Sequence, residues 1–150
     1  AHSERDVTWI RRETSKLSQG IFIANINQEM QQLSFTQPSI AIDSLIKQHI
    51  LGPVSESYMT TDINARIKKD SIVINGIEMI KQQSLWRMQN DFMGGIYVSY
   101  IFNGSPQREP FLIYTYLYSP GEPKKISLIQ LEAIVRTLGA ELKPIINGNN

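Results

Sequence analysis

The sequence predicts an α+β domain: a predominantly antiparallel sheet with two principal helices packed on it, in the order β-β-α-β-β-β-β-α. Three observations carry this. Apolar residues recur with a helical period near 38–51 and again near 127–139. Asn75-Gly76 sits between two runs rich in β-branched residues, the signature of a two-residue hairpin turn. The other strand-like runs are separated by short turns, which makes their pairing antiparallel. Two amphipathic helices need a shared apolar surface, and one curved sheet supplies it most economically.

The elements follow in order. Val7 to Arg12 and Ile21 to Ile26 carry β-branched and aromatic residues and read as strands, with Ser18-Gln19-Gly20 as the turn between them. Residues 27–36 are polar and read as irregular. Pro38 to Leu51 is a helix: Ile42, Leu45, Ile46, His49 and Ile50 form one stripe, Pro38 suits the first turn, and Gly52-Pro53 ends it. Val54 to Asn64 reads as a loop or a short strand. Ser71–Ile74 and Ile77–Ile80 are the arms of the hairpin, the second arm continuing through Gln82 to Met88. Ile96–Phe102 and Phe111–Tyr118 are two more strands, and Asn103-Gly104-Ser105-Pro106 opens the loop between them. The closing helix starts at a Ser127-Leu128-Ile129-Gln130 capping box, with Ile126 placed to staple against Leu131. Its stripe is Leu128, Leu131, Ile134, Val135 and Leu138, and Gly139 is placed as the residue after its end.

At 150 residues the chain suits one domain, expected over 1–146, with 147–150 as a disordered tail. The composition, 41% hydrophobic and 19% charged, is that of a folded globule. Fifteen basic residues against fourteen acidic ones give no electrostatic case for a nucleic-acid partner. With no cysteine and two histidines, transition metals lack their usual ligands, and no EF-hand loop is present for calcium, so neither metal nor cofactor is expected. No phosphate-binding glycine loop, zinc-binding histidine pair or nucleophile elbow occurs. His2 falls in a polar, frayed-looking start, and His49 falls on or beside a helical stripe, where a structural role is the simpler one.

Two constellations stand out. Leu85 to Gly95 (LWRMQNDFMGG) concentrates a tryptophan, two methionines, a charge pair and Gly-Gly. Read structurally, Trp86 and Met88 enter the core, Arg87 pairs with Asp91, and Gly94-Gly95 permits an unusual turn. Read functionally, Trp86, Arg87, Asp91, Phe92, Met93, Gly94 and Gly95 are a recognition loop, since aromatic, Met and Arg side chains are enriched at interface hot spots. Tyr114, Tyr116 and Tyr118 share one face of a strand, which Tyr97 could join. They make either a buried cross-strand ladder or an exposed aromatic groove. Trp9 and Arg11, on alternate positions, are placed for a cation–π contact, with Arg12 on the other face.

The run LWRMQNDFMGGIYVSY (Leu85–Tyr100) resembles the signature of an uncharacterised family of bacterial cell-envelope lipoproteins. HILGPVSESYMTTD (His49–Asp62), QLEAIV (Gln130–Val135), and WIRRE with SQGIFI near the start resemble further segments of that family in the same order. Gln89-Asn90 and Ile96 depart from it, standing where an acidic-Gly pair and a proline are expected. The resemblance implies the C-terminal domain of a longer lipoprotein, facing the periplasm and anchored through a lipid on an N-terminal part this chain lacks. It implies no activity. At the level of fold, the element order is similar to PsbP/Mog1-like sandwiches, an analogy that carries no function.

The expectation is therefore a non-catalytic envelope module that binds another envelope protein or a glycan through the Trp86–Gly95 loop. The alternative is an envelope hydrolase or other enzyme using Asp91 in an acid/base role.

Overall fold

The computed structural model describes residues 2–4, 7–14, 17–26, 42–44, 46, 58–89, 93–121 and 123–147. Its strands are β1 (His2–Glu4), β2 (Val7–Glu13), β3 (Ser18–Asn25), β4 (Tyr58–Thr61), β5 (Lys68–Ile74), β6 (Ile77–Gln89), β7 (Gly94–Phe102) and β8 (Phe111–Tyr118). Helical residues 42–44 and 46, here α1, precede β4, and α2 (Lys125–Asn147) closes the chain. The strands form one sheet in the order β1-β2-β3-β8-β7-β6-β4, with β5 also on β6, and every pairing among them is antiparallel. The thirteen-residue β6 is the spine: its first half pairs β5, its last four residues pair β4, and its other edge carries β7.

Among the described residues, a helix packs on each face of the sheet, covering its centre. On the first face, Phe22, Trp86, Met88, Tyr97, Leu112, Tyr114 and Tyr116 pack with Ile42 and Ile46 of α1. On the second, Ile21, Ile74, Met79, Tyr100 and Ile113 pack with Leu131 and Val135 of α2. β8 lies at the centre, and its residues from Phe111 to Leu117 are all buried. That is why FLIYTYLY shows so little polar alternation: a strand covered on both faces reads as a continuous apolar run.

The α+β architecture stands as the sequence predicts, and its details differ at several places. Ser18-Gln19-Gly20, expected as a turn, are the first residues of β3 and pair with Glu13, Arg12 and Arg11 of β2. Among the described residues there are eight strands rather than six. His2–Glu4, expected to fray, pairs with β2, and Tyr58–Thr61 takes the strand option left open for its segment. Both are short edge pieces whose partners are supplied by neighbouring strands. β7 begins at Gly94, so Gly94-Gly95 lie in the ladder with β6 rather than in a loop. α2 begins at Lys125, where the Leu128 N–H reaches the Lys124 carbonyl at 3.0 Å, so Ser127 lies inside the helix rather than capping it. Ile126 is 69% exposed and staples nothing, and Ile134, 41% exposed, lies outside the buried stripe. The helix also runs through Gly139 to Asn147. An interior glycine costs only about 1 kcal/mol, and the good helix formers Ala140, Glu141, Leu142 and Lys143 follow it. Residues 27–36, His49, and 148–150 of the expected tail lie outside the described residues.

The β5–β6 hairpin turns as expected, with Asn75 at φ 51° and Gly76 at φ 81°. Asn75 Nδ2 also donates to the Arg136 carbonyl at 2.9 Å, tying the turn to α2. A Cβ at Gly76 would meet nothing within 4 Å, so alanine there is penalised by backbone conformation alone. Gly76→Ala is expected to cost about 1–2 kcal/mol in urea denaturation. No loss would show that the turn relaxes to another type.

Candidate functional site

The Leu85–Gly95 motif occupies the end of the β6–β7 hairpin, and the two-residue period of a strand divides it between two faces. Trp86 and Met88 point to the α1 side and are buried, at 2% and 5% exposure. Leu85 and Arg87 are exposed. In register, Trp86 opposes Gly95 and Arg87 opposes Gly94. Met93 packs against the first core, and its carbonyl accepts the Met88 N–H at 2.8 Å, which closes the hairpin end. Asp91 and Phe92, and with them the expected Arg87–Asp91 pair, lie outside the described residues.

Gly95 is explained by the Leu117 carbonyl and the indole that donates to it. Trp86 reaches across β7, and its Nε1 donates to the Leu117 carbonyl on β8 at 3.1 Å. On that side its ring meets Tyr116 edge-on and Tyr118 at a tilt, each with centroids 6.2 Å apart. A Cβ on Gly95 would overlap the Leu117 carbonyl oxygen and lie 3.0 Å from Trp86 Nε1. The same device recurs two strands away. Tyr116 lies over its register partner Gly20, where a Cβ would overlap the phenol ring, and its hydroxyl accepts the Trp9 Nε1–H at 3.0 Å. Large rings thus cover glycines on neighbouring strands, binding β2, β3, β8, β7 and β6 into one plate.

The tyrosines form the buried ladder of the two arrangements open to them. Tyr97 stacks on Tyr114 with centroids 5.2 Å apart, and Gln82 Nε2 donates to the Tyr97 hydroxyl at 2.8 Å. Burial pushes the Tyr116 phenol up to about 12, against a smaller opposing effect of the Trp9 hydrogen bond, and it drives Tyr114 well above its usual range. Both stay neutral at physiological pH. At its outer edge, the Arg11 guanidinium lies 5.3 Å from the Trp9 ring centre, as the alternate spacing of the two residues suggests.

One cluster has no signal in the sequence. Asp43 of α1 accepts hydrogen bonds from the β4 threonines: Thr60 Oγ1 at 2.9 Å, Thr61 Oγ1 at 3.1 Å and the Thr61 N–H at 2.7 Å. It pins α1 to the sheet edge. Burial raises its carboxyl above the usual 3.8, outweighing those three bonds, which favour the anion. A native carboxyl that holds its proton more tightly than the unfolded one contributes stability at low pH, lost as pH rises from 3.8 through the raised native value. Asp43→Asn should lack this decline. Urea midpoints should move in its favour, relative to wild type, as pH rises from about 4 towards 7, then run parallel. A variant that loses ground over that range would contradict the sign. Thr60 and Thr61 read in sequence as ordinary β-formers, and their pairing with a carboxylate seventeen and eighteen residues earlier is purely tertiary.

Among the described residues no three His, Cys, Asp or Glu side chains converge as a metal site would require. The described part of the hairpin end is braced by the contacts of Trp86 on one face, with Arg87 and Gly94 exposed side by side on the other.

Residues 1–137 match the model of a family described as a domain of unknown function, DUF4837. The chain belongs to the DUF4837 family. The matched span contains the whole sheet, the Trp86–Gly95 seat and α2 as far as Thr137, so these features lie within the DUF4837 unit. No curated protein and no solved structure matches this DUF4837 chain.

Proposed function

We propose that the domain is a non-catalytic binding module of the cell envelope that engages a partner protein at the end of the β6–β7 hairpin. The observation that carries this reading is the division of the motif between two faces. Trp86, Met88 and Gly95 are consumed in building the hairpin end, which leaves Arg87 and its register partner Gly94 exposed on a braced platform. A site on rigid strands holds its geometry better than one on a free loop. Arginine is a preferred anchor for protein partners, and a neighbouring glycine lets a partner backbone approach closely. The envelope setting, with a lipid anchor on a longer chain, rests on the likeness of Leu85–Tyr100 to envelope lipoproteins.

Capture from envelope extract, with the domain as bait and a photoreactive side chain at position 87, tests this. The expected outcome is a discrete cross-linked protein from position 87 and none from a control probe at Val73, which is 60% exposed on β5. Equal labelling from both positions, or capture of glycan alone, would overturn the proposal as stated.

A further inference from the structure

We propose that a groove on the α2 side of the sheet binds a medium-chain carboxylate: an apolar chain ending in a single anionic head. The groove encloses about 670 Å³, within the usual range for a small-molecule site. Its floor is Gln83 and Leu85 of β6 with Ile96 of β7, and its wall is the β4–β5 connection, Ala65 to Ile67, continuing into Lys68. α2 covers the other end of this face. It is held to β6 at Lys81, whose Nζ lies 3.3 Å from Glu132. Beyond that ion pair the apolar surface is open: Leu85 is 43% exposed and Ile67 44%.

Charge and backbone geometry select the occupant. Two cations, Arg66 and Lys68, stand among the described lining residues, and no carboxylate does. That combination of apolar floor and basic wall complements an amphiphilic anion. An extended peptide added as a strand does not fit, because the β6 edge here is already closed. The Asp62 N–H donates to the Leu85 carbonyl at 2.8 Å, and Ser84 Oγ donates to the Arg66 carbonyl at 2.9 Å. Recognition must come from side chains, which supply an apolar bed and a positive rim. The groove adjoins the partner surface at Arg87, since Leu85 and Ile96 are the next register pair on the same face, but its test does not depend on any partner being found.

The test is a methyl-labelled NMR titration of the whole chain with octanoate, octanol and acetate. Octanoate is expected to shift the methyl signals of Ile67, Leu85 and Ile96 saturably. Acetate should leave them in place, and octanol should bind about tenfold more weakly. Arg66→Glu with Lys68→Glu should weaken octanoate by about tenfold and leave octanol unchanged. Leu85→Asp should abolish both. These three side chains are exposed, so unchanged methyl spectra away from the groove would verify the fold of each variant. No octanoate-dependent shifts, shifts centred elsewhere, or equal affinity for octanoate and octanol in the wild type would overturn the proposal.

Discussion

Gly95→Ala is expected to destabilise the domain by about 3 kcal/mol, a large share of the roughly 5–15 kcal/mol typical of a folded domain. The added methyl would overlap the Leu117 carbonyl oxygen, a backbone atom fixed in the β7–β8 ladder, and would crowd Trp86 Nε1 at 3.0 Å. No rotamer change relieves a collision with backbone, so strands must separate or the indole must leave its seat. Gly20→Ala is the informative comparison. There the overlap is with the Tyr116 ring, a side chain, and a second substitution, Tyr116→Leu, should recover part of the loss. Gly95→Ala should not be rescued by Trp86→Leu. Chemical denaturation of the four proteins measures this directly, and rescue at position 95 would show that the indole, rather than the β8 backbone, sets the constraint.

Trp86→Ala is expected to cost about 3–5 kcal/mol. The ring is 2% exposed, meets Tyr116 and Tyr118, and satisfies the Leu117 carbonyl through its N–H. Truncation leaves a cavity and removes the hydrogen bond to the Leu117 carbonyl. Trp86→Phe separates the two losses. It keeps a ring and forfeits the hydrogen bond, and it should lose about 1–3 kcal/mol. Denaturation midpoints read both values. A loss under about 1 kcal/mol for the alanine variant would contradict the placement of the ring.

The parts of the fold legible in the sequence were those whose cause is local. Asn75-Gly76 states its own turn, and Ile42, Ile46, Leu131 and Val135 mark buried helical faces by spacing alone. The illegible parts have distant causes. His2–Glu4 is a strand because β2 offers it an edge, and Ser127 loses its capping role because the helix opens two residues earlier. Gly94-Gly95 reads as a turn by composition. Its residues lie in the β6–β7 ladder, and at Gly95 the Leu117 carbonyl oxygen of the neighbouring β8, with the Trp86 indole beside it, occupies the space a side chain would need. A glycine inside a strand pattern can signal such close approach, and Gly20 and Gly95 were the available hints. The division of the motif into buried and displayed halves needed the register. Asp43 with Thr60 and Thr61 needed the packing of a helix against a strand, which no local pattern encodes.

The central claim is that one face of the hairpin end builds the domain and the other binds. Arg87→Glu tests it most directly, with melting temperature and partner capture measured on the same preparation. Arg87 is exposed, so the account predicts an unchanged melting temperature and loss of the captured protein. Full capture by the charge-reversed domain would contradict it.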